Sequence, residues 1–270
     1  MLVLTLMAAA LPGLAQVRSI DALAVTALPA PDFDRADAEK MSAGSATLKR
    51  LSSRPNKITD EEEWFRRNGL ALERFDLDGL PPGIPGTFQG TRLVQALYGS
   101  ESYLLLYGKD FAGARYVVGM AKDGAFLYAF DFASFLDAPG VKTDELNEQP
   151  VTWAAEKDGV LYVANGHRTY ASASKGRNAY LTAIDLKSGK ILWRSRPLVS
   201  NALNFAIVGD LIVSGYGFTK EPDFLYLIDR KTGNVIGTHP LKSGPDYILE
   251  KDGRLYVRTY NTDDVFEIRR

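Results

Sequence analysis

The stretch AIDLKSGKILW, residues 183–193, carries the strongest structural signal in the sequence. An apolar run ends at Asp185, a Ser-Gly pair follows, and a second apolar run ends at Trp193. An Asp side chain accepts the backbone N–H groups of a tight turn, and Gly supplies the positive φ that reverses the chain. The stretch therefore predicts a β-hairpin in which Asp185 and Gly189 form the turn.

The same hairpin occurs a second time. DRKTG at residues 229–233 repeats DLKSG at residues 185–189, so Asp229 and Gly233 are expected to form an equivalent turn. An isolated Asp in such a turn is a structural residue, and we do not interpret either Asp as a catalytic acid.

Longer segments around these hairpins share one design, an apolar strand, a Gly-containing turn and a strand of the form LxV, followed by a third strand. The three clear copies begin with residues 151–166, 203–217 and 246–260, and a more divergent copy ends in FLYAFDF at 126–132. Alignment of Asp131, Asp185, Asp229 and Arg269 gives separations of 54, 44 and 40 residues. A period of this size with four strands per unit is typical of β-propellers.

We therefore predict an all-β fold, a β-propeller of four-stranded antiparallel blades. The four blades are expected at about 91–136, 150–198, 199–241 and 242–270. A five-bladed ring, with one more blade inside 70–115, and an open arc completed by dimerisation are the alternatives.

The last copy ends after its third strand, at the C-terminus, which would leave an unpaired sheet edge. LALERFDL at residues 70–77 has alternating apolar character. We predict that this segment closes the ring as the outer strand of the last blade.

At these spacings, Ala183, Asp185, Ser188, Gly189, Lys190 and Trp193 resemble the tryptophan-docking repeat of PQQ-type β-propellers. In that family the Trp packs flat between neighbouring blades and its ring N–H bonds to the next blade. Residues 227–237 keep the Asp, Thr and Gly but have Leu227 and Gly237 where the family has Ala and Trp. The resemblance covers about residues 91–270, and the two remaining copies retain little of the motif.

The resemblance raises the question of a quinone cofactor, because the family includes quinoprotein dehydrogenases. Those enzymes are typically larger and eight-bladed, and they often have a vicinal disulfide over the quinone and a calcium site. This chain has no Cys and about half the repeats. We therefore expect no PQQ and no other cofactor, and we interpret Trp193, Trp153 and Trp64 as structural residues.

Charge and composition exclude several other functions. Lys and Arg total 32 against 33 for Asp and Glu, so no basic surface predicts nucleic acid as a partner. The two His residues, with no Cys, do not make a zinc site. No G-x-S-x-G context marks a serine nucleophile. No catalytic group is identified, which favours a non-enzymatic protein.

The N-terminal part predicts an exported protein. The apolar run at residues 2–11 and the small residues after it indicate a signal peptide over 1–15, although no Lys or Arg precedes the run. Residues 16–69 are predicted as a linker with a short helix at 59–69, where Thr59 is the expected N-cap, and 70–270 as the propeller. No other segment could span a membrane. The expected location is periplasmic or secreted.

Alternate turns of a four-stranded blade lie on opposite faces of a propeller, and the face opposite the D-x-x-[ST]-G hairpins has the longest loops. These are residues 165–178, 194–203 and 215–223. We predict a binding surface there for a protein or a small polar ligand. Its candidate residues are His167, Arg168, Tyr170, Arg177, Asn201, Tyr216 and Lys220. The alternative is a small propeller enzyme, a lyase or hydrolase of sugars or glycans, with its site at the central channel.

Overall fold

A computed structural model of the chain describes residues 17–36, 46–56, 60–99, 102–109, 113–142 and 144–270. The predicted signal peptide at 1–15 lies outside the described residues, and so does Thr59. No helix of the described part is long and apolar enough to cross a membrane.

Three elements precede the blades. Strand β1 is Val25–Ala27, strand β2 is Thr47–Pro55 and helix α1 is Glu61–Asn68. The predicted short helix is confirmed. Its N-cap is Asp60, whose carboxylate accepts the backbone N–H of Glu62 at 2.9 Å. Gly69 ends the helix in the left-handed conformation, which glycine adopts without a steric cost.

The blade strands follow in chain order. Blade 1 contains β3 (Thr87–Phe88), β4 (Thr91–Tyr98), β5 (Ser102–Gly108), β6 (Tyr116–Ala121) and β7 (Phe126–Asp131). Blade 2 contains β8 (Val151–Lys157), β9 (Val160–Asn165), β10 (Tyr180–Asp185) and β11 (Ile191–Arg194). Blade 3 contains β12 (Ala206–Val208), β13 (Leu211–Phe218), β14 (Glu221–Asp229) and β15 (Val235–Pro240). Blade 4 contains β16 (Pro245–Lys251), β17 (Arg254–Thr259) and β18 (Thr262–Arg269). Short 3₁₀ turns lie at Ile20–Ala22, Leu77–Gly79, Ala133–Phe135 and Ala171–Ser174.

The protein is a four-bladed β-propeller, as predicted. In each blade the strands pair antiparallel with their sequence neighbours, and β4, β8, β12 and β16 are the first strands of the four four-stranded meanders. Strands β4 to β18 fall inside the four predicted segments, whereas β1, β2 and β3 precede the predicted start of blade 1 at residue 91. Blade 1 is widened by β1, which pairs parallel with β7, and by β3, which pairs with β4.

The ring closes through an N-terminal strand, but the predicted segment was wrong. The outer strand of blade 4 is β2, which pairs antiparallel with β18 from Thr262↔Pro55 to Arg269↔Thr47. Residues 70–77 instead lie along β4 of blade 1, where Arg74 makes an isolated bridge with Leu97. The closing strand is rich in Lys, Arg and Ser. An outer strand needs few apolar side chains, because its backbone supplies the hydrogen-bond partners of the exposed edge of β18.

The alignment of Asp131 with Asp185 was also wrong. Asp131 ends the fourth strand of blade 1, whereas Asp185 ends the third strand of blade 2. The two residues therefore lie on opposite faces. Asp131 binds Arg115 with both carboxylate oxygens, at 2.8 and 2.7 Å, instead of organising a hairpin turn.

The two D-x-x-[ST]-G turns have matching geometry. Asp185 Oδ1 accepts the backbone N–H of Ser188 at 2.7 Å, and Asp229 Oδ1 accepts that of Thr232 at 2.8 Å. Gly189 and Gly233 follow with φ of 67° and 71°. The hydrogen bonds to Ser188 lower the pKa of Asp185, because they favour its charged form.

Trp193 joins blade 2 to blade 3. It lies in the outer strand β11, and its Nε1 donates to the carbonyl of Arg230, in blade 3, at 3.0 Å. The indole packs on Gly233 so closely that a Cβ at position 233 would overlap the ring. The buried core is continuous across this junction, with Leu161 and Ile184 of blade 2 in the same apolar cluster as Ile212 and Ile228 of blade 3.

Residues 25–36 and 46–55 lie on the outer side of the blades, and we call these two segments the N-terminal belt. It begins at blade 1 with β1 and ends at blade 4 with β2. Between them, Phe33 packs edge-on against Tyr180 of blade 2, with ring centroids 5.8 Å apart. Arg35 then donates to the carbonyls of Arg194, in blade 2, and Thr232, in blade 3.

Candidate functional site: the loop face

The two faces of the ring differ in their loops. The first-to-second and third-to-fourth hairpins of each blade open on one face, which we call the hairpin face. The second-to-third loops and the connections between blades form the other, the loop face. One predicted long loop is shorter than expected, because residues 215–223 belong mostly to β13 and β14, which are joined by a turn at 219–220.

The His167 side chain is buried inside the loop to which it belongs. It is 3% exposed, and its Nε2 lies 2.8 Å from Ser174 Oγ. The Asn178 side chain closes the same loop, accepting the N–H of His167 at 2.8 Å and donating to its carbonyl at 3.2 Å. Burial lowers the pKa of His167, so the imidazole is neutral at pH 7. The residue therefore holds the loop in one shape.

Tyr216 tethers blade 2 to blade 3. Its hydroxyl donates to Glu221 Oε2, and Glu221 Oε1 accepts the backbone N–H of Ala171 at 2.8 Å. Burial and the neighbouring carboxylate raise the pKa of Tyr216, which keeps the phenol protonated. Beside this pair the ring of Tyr170 packs edge-on against Phe218, at 4.8 Å.

Asn201 and Arg177 are also bound within the fold. The Asn201 amide donates to the carbonyl of Gly217 at 2.9 Å and accepts its N–H at 3.1 Å. Arg177 binds both oxygens of Asp34, in the N-terminal belt, at 2.7 and 3.1 Å, and donates to the carbonyl of Pro139 at 2.7 Å. These contacts fix the connections around blade 2.

Arg168 and Lys220 are exposed, and their side chains have no hydrogen bond or ion pair within the described residues. They do not lie in one site. Arg168 lines a cavity between blades 1 and 2, with His167 in its wall. Lys220 lies at the turn between β13 and β14. Only His167 and Arg168 of the seven predicted residues line this cavity.

The cavity has a volume of about 480 Å³. Small and apolar groups from both blades line it, together with five charged side chains. The apolar and small lining residues include Gly113, Ala114, Leu136, Leu146, Pro150 and Gly166. The charged residues are Lys109, Arg115, Glu145, Glu148 and Arg168.

The charges of the cavity differ in how far they are neutralised. Arg115 is paired with Asp131. Their hydrogen bonds raise the pKa of the Arg115 guanidinium and lower the pKa of the Asp131 carboxyl. Lys109 Nζ lies 3.6 Å from Glu148 Oε1, an ion pair that solvent weakens because Lys109 is 81% exposed. The unpaired cation of the described part of this site is therefore Arg168. Leu146, 72% exposed, supplies an apolar contact beside it.

Sequence reasoning missed the connection at residues 132–150, which contributes Leu136, Leu146 and Glu148 to the cavity. Its Pro and Asp residues mark a break between two repeats, a signal that could have identified it. Within the described residues, no group of three or more His, Asp or Glu side chains is arranged to hold a metal ion.

Comparison with known proteins gives structural likeness at low identity. No family model and no curated protein matches the chain. The computationally designed Ika4 protein aligns with 71% of this chain and 100% of its own, at 13% identity and a TM-score of 0.43. BamB from Moraxella catarrhalis aligns over 67% and 74%, at 12% identity and a TM-score of 0.31.

A third solved structure, a europium-containing methanol dehydrogenase, aligns over 62% of this chain and 29% of its own, at 13% identity and a TM-score of 0.37. Likeness at this level does not assign an activity to the chain. What its own strands establish is the fold, a four-bladed β-propeller, and on its loop face lies a cavity with apolar and charged lining residues.

Proposed function

We propose that the protein is an exported, non-catalytic, PQQ-like β-propeller that serves as a binding scaffold for a protein segment on its loop face. The observation that carries the proposal is the state of the loop-face side chains. His167, Arg177, Asn201 and Tyr216 hydrogen-bond to the protein itself, so the loops are ordered before any partner arrives. Such preorganisation lowers the entropic cost of binding.

The cavity beside these loops favours a segment with one carboxylate and one apolar side chain. Arg168 can bind a carboxylate with two N–H groups, and Leu146 and Leu136 offer apolar surface next to it. Aromatic and arginine side chains at such positions commonly carry most of an interface's binding energy.

A set of fluorescein-labelled hexapeptides, each carrying one Asp or Glu beside one Leu or Phe, tests the docking by fluorescence anisotropy. We expect some members to bind, and Arg168→Gln and Leu146→Ser to weaken that binding about tenfold. Arg254→Gln and Leu192→Ser remove an exposed Arg and an exposed Leu away from the cavity and are the matched controls. Failure of every peptide to bind, or equal loss in the controls, contradicts the proposal.

Export and the absence of catalysis need separate measurements. Fractionation of cells expressing the full chain, with mass spectrometry of its N-terminus, is expected to find the protein outside the cytoplasm with residues 1–15 removed. An intact Met1 in the cytoplasm contradicts export. Incubation with PQQ and calcium is expected to leave no bound chromophore, and a panel of polysaccharides is expected to release no reducing ends.

A further inference from the structure

The junction between blades 3 and 4 is built differently from the junction between blades 2 and 3. When residues 227–237 are aligned with 183–193, Gly237 stands at the position of Trp193, so blade 3 has no tryptophan to dock on the next blade. The N-terminal belt fills that space, because a Cβ at position 237 would overlap the carbonyl oxygen of Ala46. The closing strand β2 therefore lies beside β15 of blade 3 as well as being paired with β18 of blade 4.

Apolar side chains form the inner layer of this junction. Ala46 and the partly buried Leu48 of the belt belong to one apolar cluster with Leu227 and Ile236 of blade 3 and Phe266 of blade 4. This layer contains no titratable group, so its contribution to the junction does not depend on pH.

A polar contact lies over the apolar layer and is centred on Arg50 of β2. Arg50 Nη2 lies 3.2 Å from His239 Nε2 and 3.5 Å from the carbonyl oxygen of Pro240, both in β15. Its Nε lies 3.5 Å from Asp264 Oδ1 in β18. The Arg50 guanidinium and the His239 ring also share one aromatic surface, because they lie 5.4 and 4.9 Å from the centroid of Phe266. One side chain of the closing strand thus contacts blade 3 and blade 4 together.

The contact between Arg50 and His239 requires a neutral imidazole. A guanidinium has only donors, so His239 Nε2 can take part only as an unprotonated acceptor. Burial and the Arg50 cation lower the pKa of His239, which keeps the ring neutral at pH 7. Protonation would remove the acceptor and place two cations 3.2 Å apart. The ring is only partly buried, so protons from solvent can reach it.

The other strands around His239 offer one compensating charge. On β14 the residue paired with it is Leu225, which is apolar. On β18 the carboxylate of Asp264 attracts an imidazolium and acts to raise the pKa of His239, but burial and Arg50 outweigh it. Asp264 is also engaged elsewhere, since its Oδ2 accepts the hydroxyl of Thr262 at 2.8 Å. The carboxylate therefore does not cancel the repulsion between Arg50 and an imidazolium.

We propose that protonation of His239 in mild acid separates β2 from β15 and opens the junction between blades 3 and 4, so that this contact is a pH-sensitive switch in the ring. Strand β2 stays paired with β18, since that pairing runs through backbone groups that do not titrate. The proposal does not depend on the docking proposed for the loop face.

The direction of the effect follows from proton binding. The pKa of His239 is lower in the closed junction than in an open chain, so below the ordinary pKa of His the open form binds more protons. The contact is therefore fully effective above about pH 7 and is lost as the pH falls towards about 5.

The chain has no Cys, so a single introduced Cys can report on the junction. Ala46 is 2% exposed and lies at the junction, whereas Ser53 is exposed in the same strand. Labelling of Ala46→Cys with 4,4′-dithiodipyridine is measured relative to labelling of Ser53→Cys, which corrects for the pH dependence of the reagent. We expect the ratio of the two rates to rise at least about threefold from about pH 7 to about pH 5.

The same ratio in variant backgrounds identifies the group responsible. His239→Gln keeps a neutral acceptor for Arg50, so the ratio is expected not to change with pH. Arg54→Gln removes an exposed cation of β2 and is expected to behave like the parent. Burial raises the pKa of Asp223 and Asp263, which lie near the junction, but both remain in His239→Gln, so an effect caused by them would persist there.

Nuclear magnetic resonance gives a second measurement that needs no introduced Cys. The chain has two His residues, so two imidazole Hε1 signals report their titration. The midpoint of His239 is expected to move to higher pH in Arg50→Gln and to stay unchanged in Arg54→Gln. A labelling ratio that is independent of pH, a rise that persists in His239→Gln, or an unchanged His239 midpoint in Arg50→Gln would overturn the proposal.

Discussion

The indole N–H of Trp193 donates to the carbonyl of Arg230 at 3.0 Å, and the same ring covers Gly233 so closely that no Cβ fits there. One glycine therefore meets two requirements. It supplies the positive φ of the hairpin in blade 3, and it leaves space for the tryptophan of blade 2. The turn motif of one blade is the docking surface of its neighbour.

Gly233→Ala is expected to lower the free energy of unfolding by about 3 kcal/mol or more, because it combines left-handed strain with overlap against the Trp193 ring. Gly253 is the matched control. It has a φ of 73°, and a Cβ there would have nothing within 4 Å. Gly253→Ala should cost only about 1 kcal/mol of backbone strain. Denaturant unfolding measures both, and equal losses would refute the packing role of Gly233.

Closure by β2 makes a prediction about two leucines of that strand. Leu48 packs against the apolar cluster of blades 3 and 4, whereas Leu51 is 43% exposed. Leu48→Asp is expected to destabilise the protein by about 2 kcal/mol or more, since it places a carboxylate against apolar side chains. Leu51→Asp is expected to cost less than about 0.5 kcal/mol. Thermal unfolding distinguishes them, and a reversed order would mean that β2 pairs in another register.

The tether between Tyr216 and Glu221 is expected to order the loop of blade 2. Tyr216→Phe removes a hydroxyl and leaves Glu221 short of a donor, at a cost of about 1 to 3 kcal/mol. Hydrogen exchange should then accelerate at Ala171, whose N–H donates to the same carboxylate. Tyr260→Phe is the control, since Tyr260 is 79% exposed. Unchanged exchange at Ala171 would show that the loop is held by other contacts.

Arg194 is a buried cation whose cost should be measurable. It is 3% exposed, none of its three side-chain nitrogens has a hydrogen-bond partner within the described residues, and it is packed against Phe33, Phe135 and Tyr180. Burial lowers its pKa to about 9. Arg194→Met is expected to leave stability unchanged or raise it by up to about 2 kcal/mol at pH 7.

The sign of the pH dependence follows from that lowered pKa. Below pH 9 both the folded and the unfolded chain keep the proton, so the folded state bears the full cost of the buried charge. Above pH 9 the folded state binds fewer protons than the unfolded state, and stability of the parent protein rises. The advantage of Arg194→Met should therefore shrink between pH 8 and 10 in denaturant unfolding. An advantage independent of pH would contradict a buried charged guanidinium.

The repeats could be recognised in the sequence because a tight hairpin turn requires particular residue types at fixed positions. Asp185, Gly189 and Trp193 stand in a local pattern, and the blade bounds followed from it. The closing strand could not be recognised in the sequence, because β2 pairs with β18 through its backbone and has few apolar residues. Residues 70–77 are more apolar because Phe75 and Leu77 pack against the apolar cluster of blade 1, not because they form an outer strand.

The candidate site was readable only in part. The prediction of a loop face rests on the topology of the blades. Where each loop begins and ends depends on tertiary contacts, and most of residues 215–223 belong to β13 and β14. His167 and Tyr216 have polar atoms that suit a binding site, yet their partners Ser174 and Glu221 are apparent only in three dimensions.

The pairing of β2 with β18 joins segments that lie on either side of blades 1 to 3 in the chain, and it sets an order for folding. The outer strand of blade 4 is synthesised before any blade exists, while the strand it pairs with follows blades 1 to 3 in the sequence. Contacts between such distant residues form slowly, because a long loop must close first. Blades 1 to 3 can therefore pair locally while the chain grows, but the ring is completed only after β18 has been synthesised.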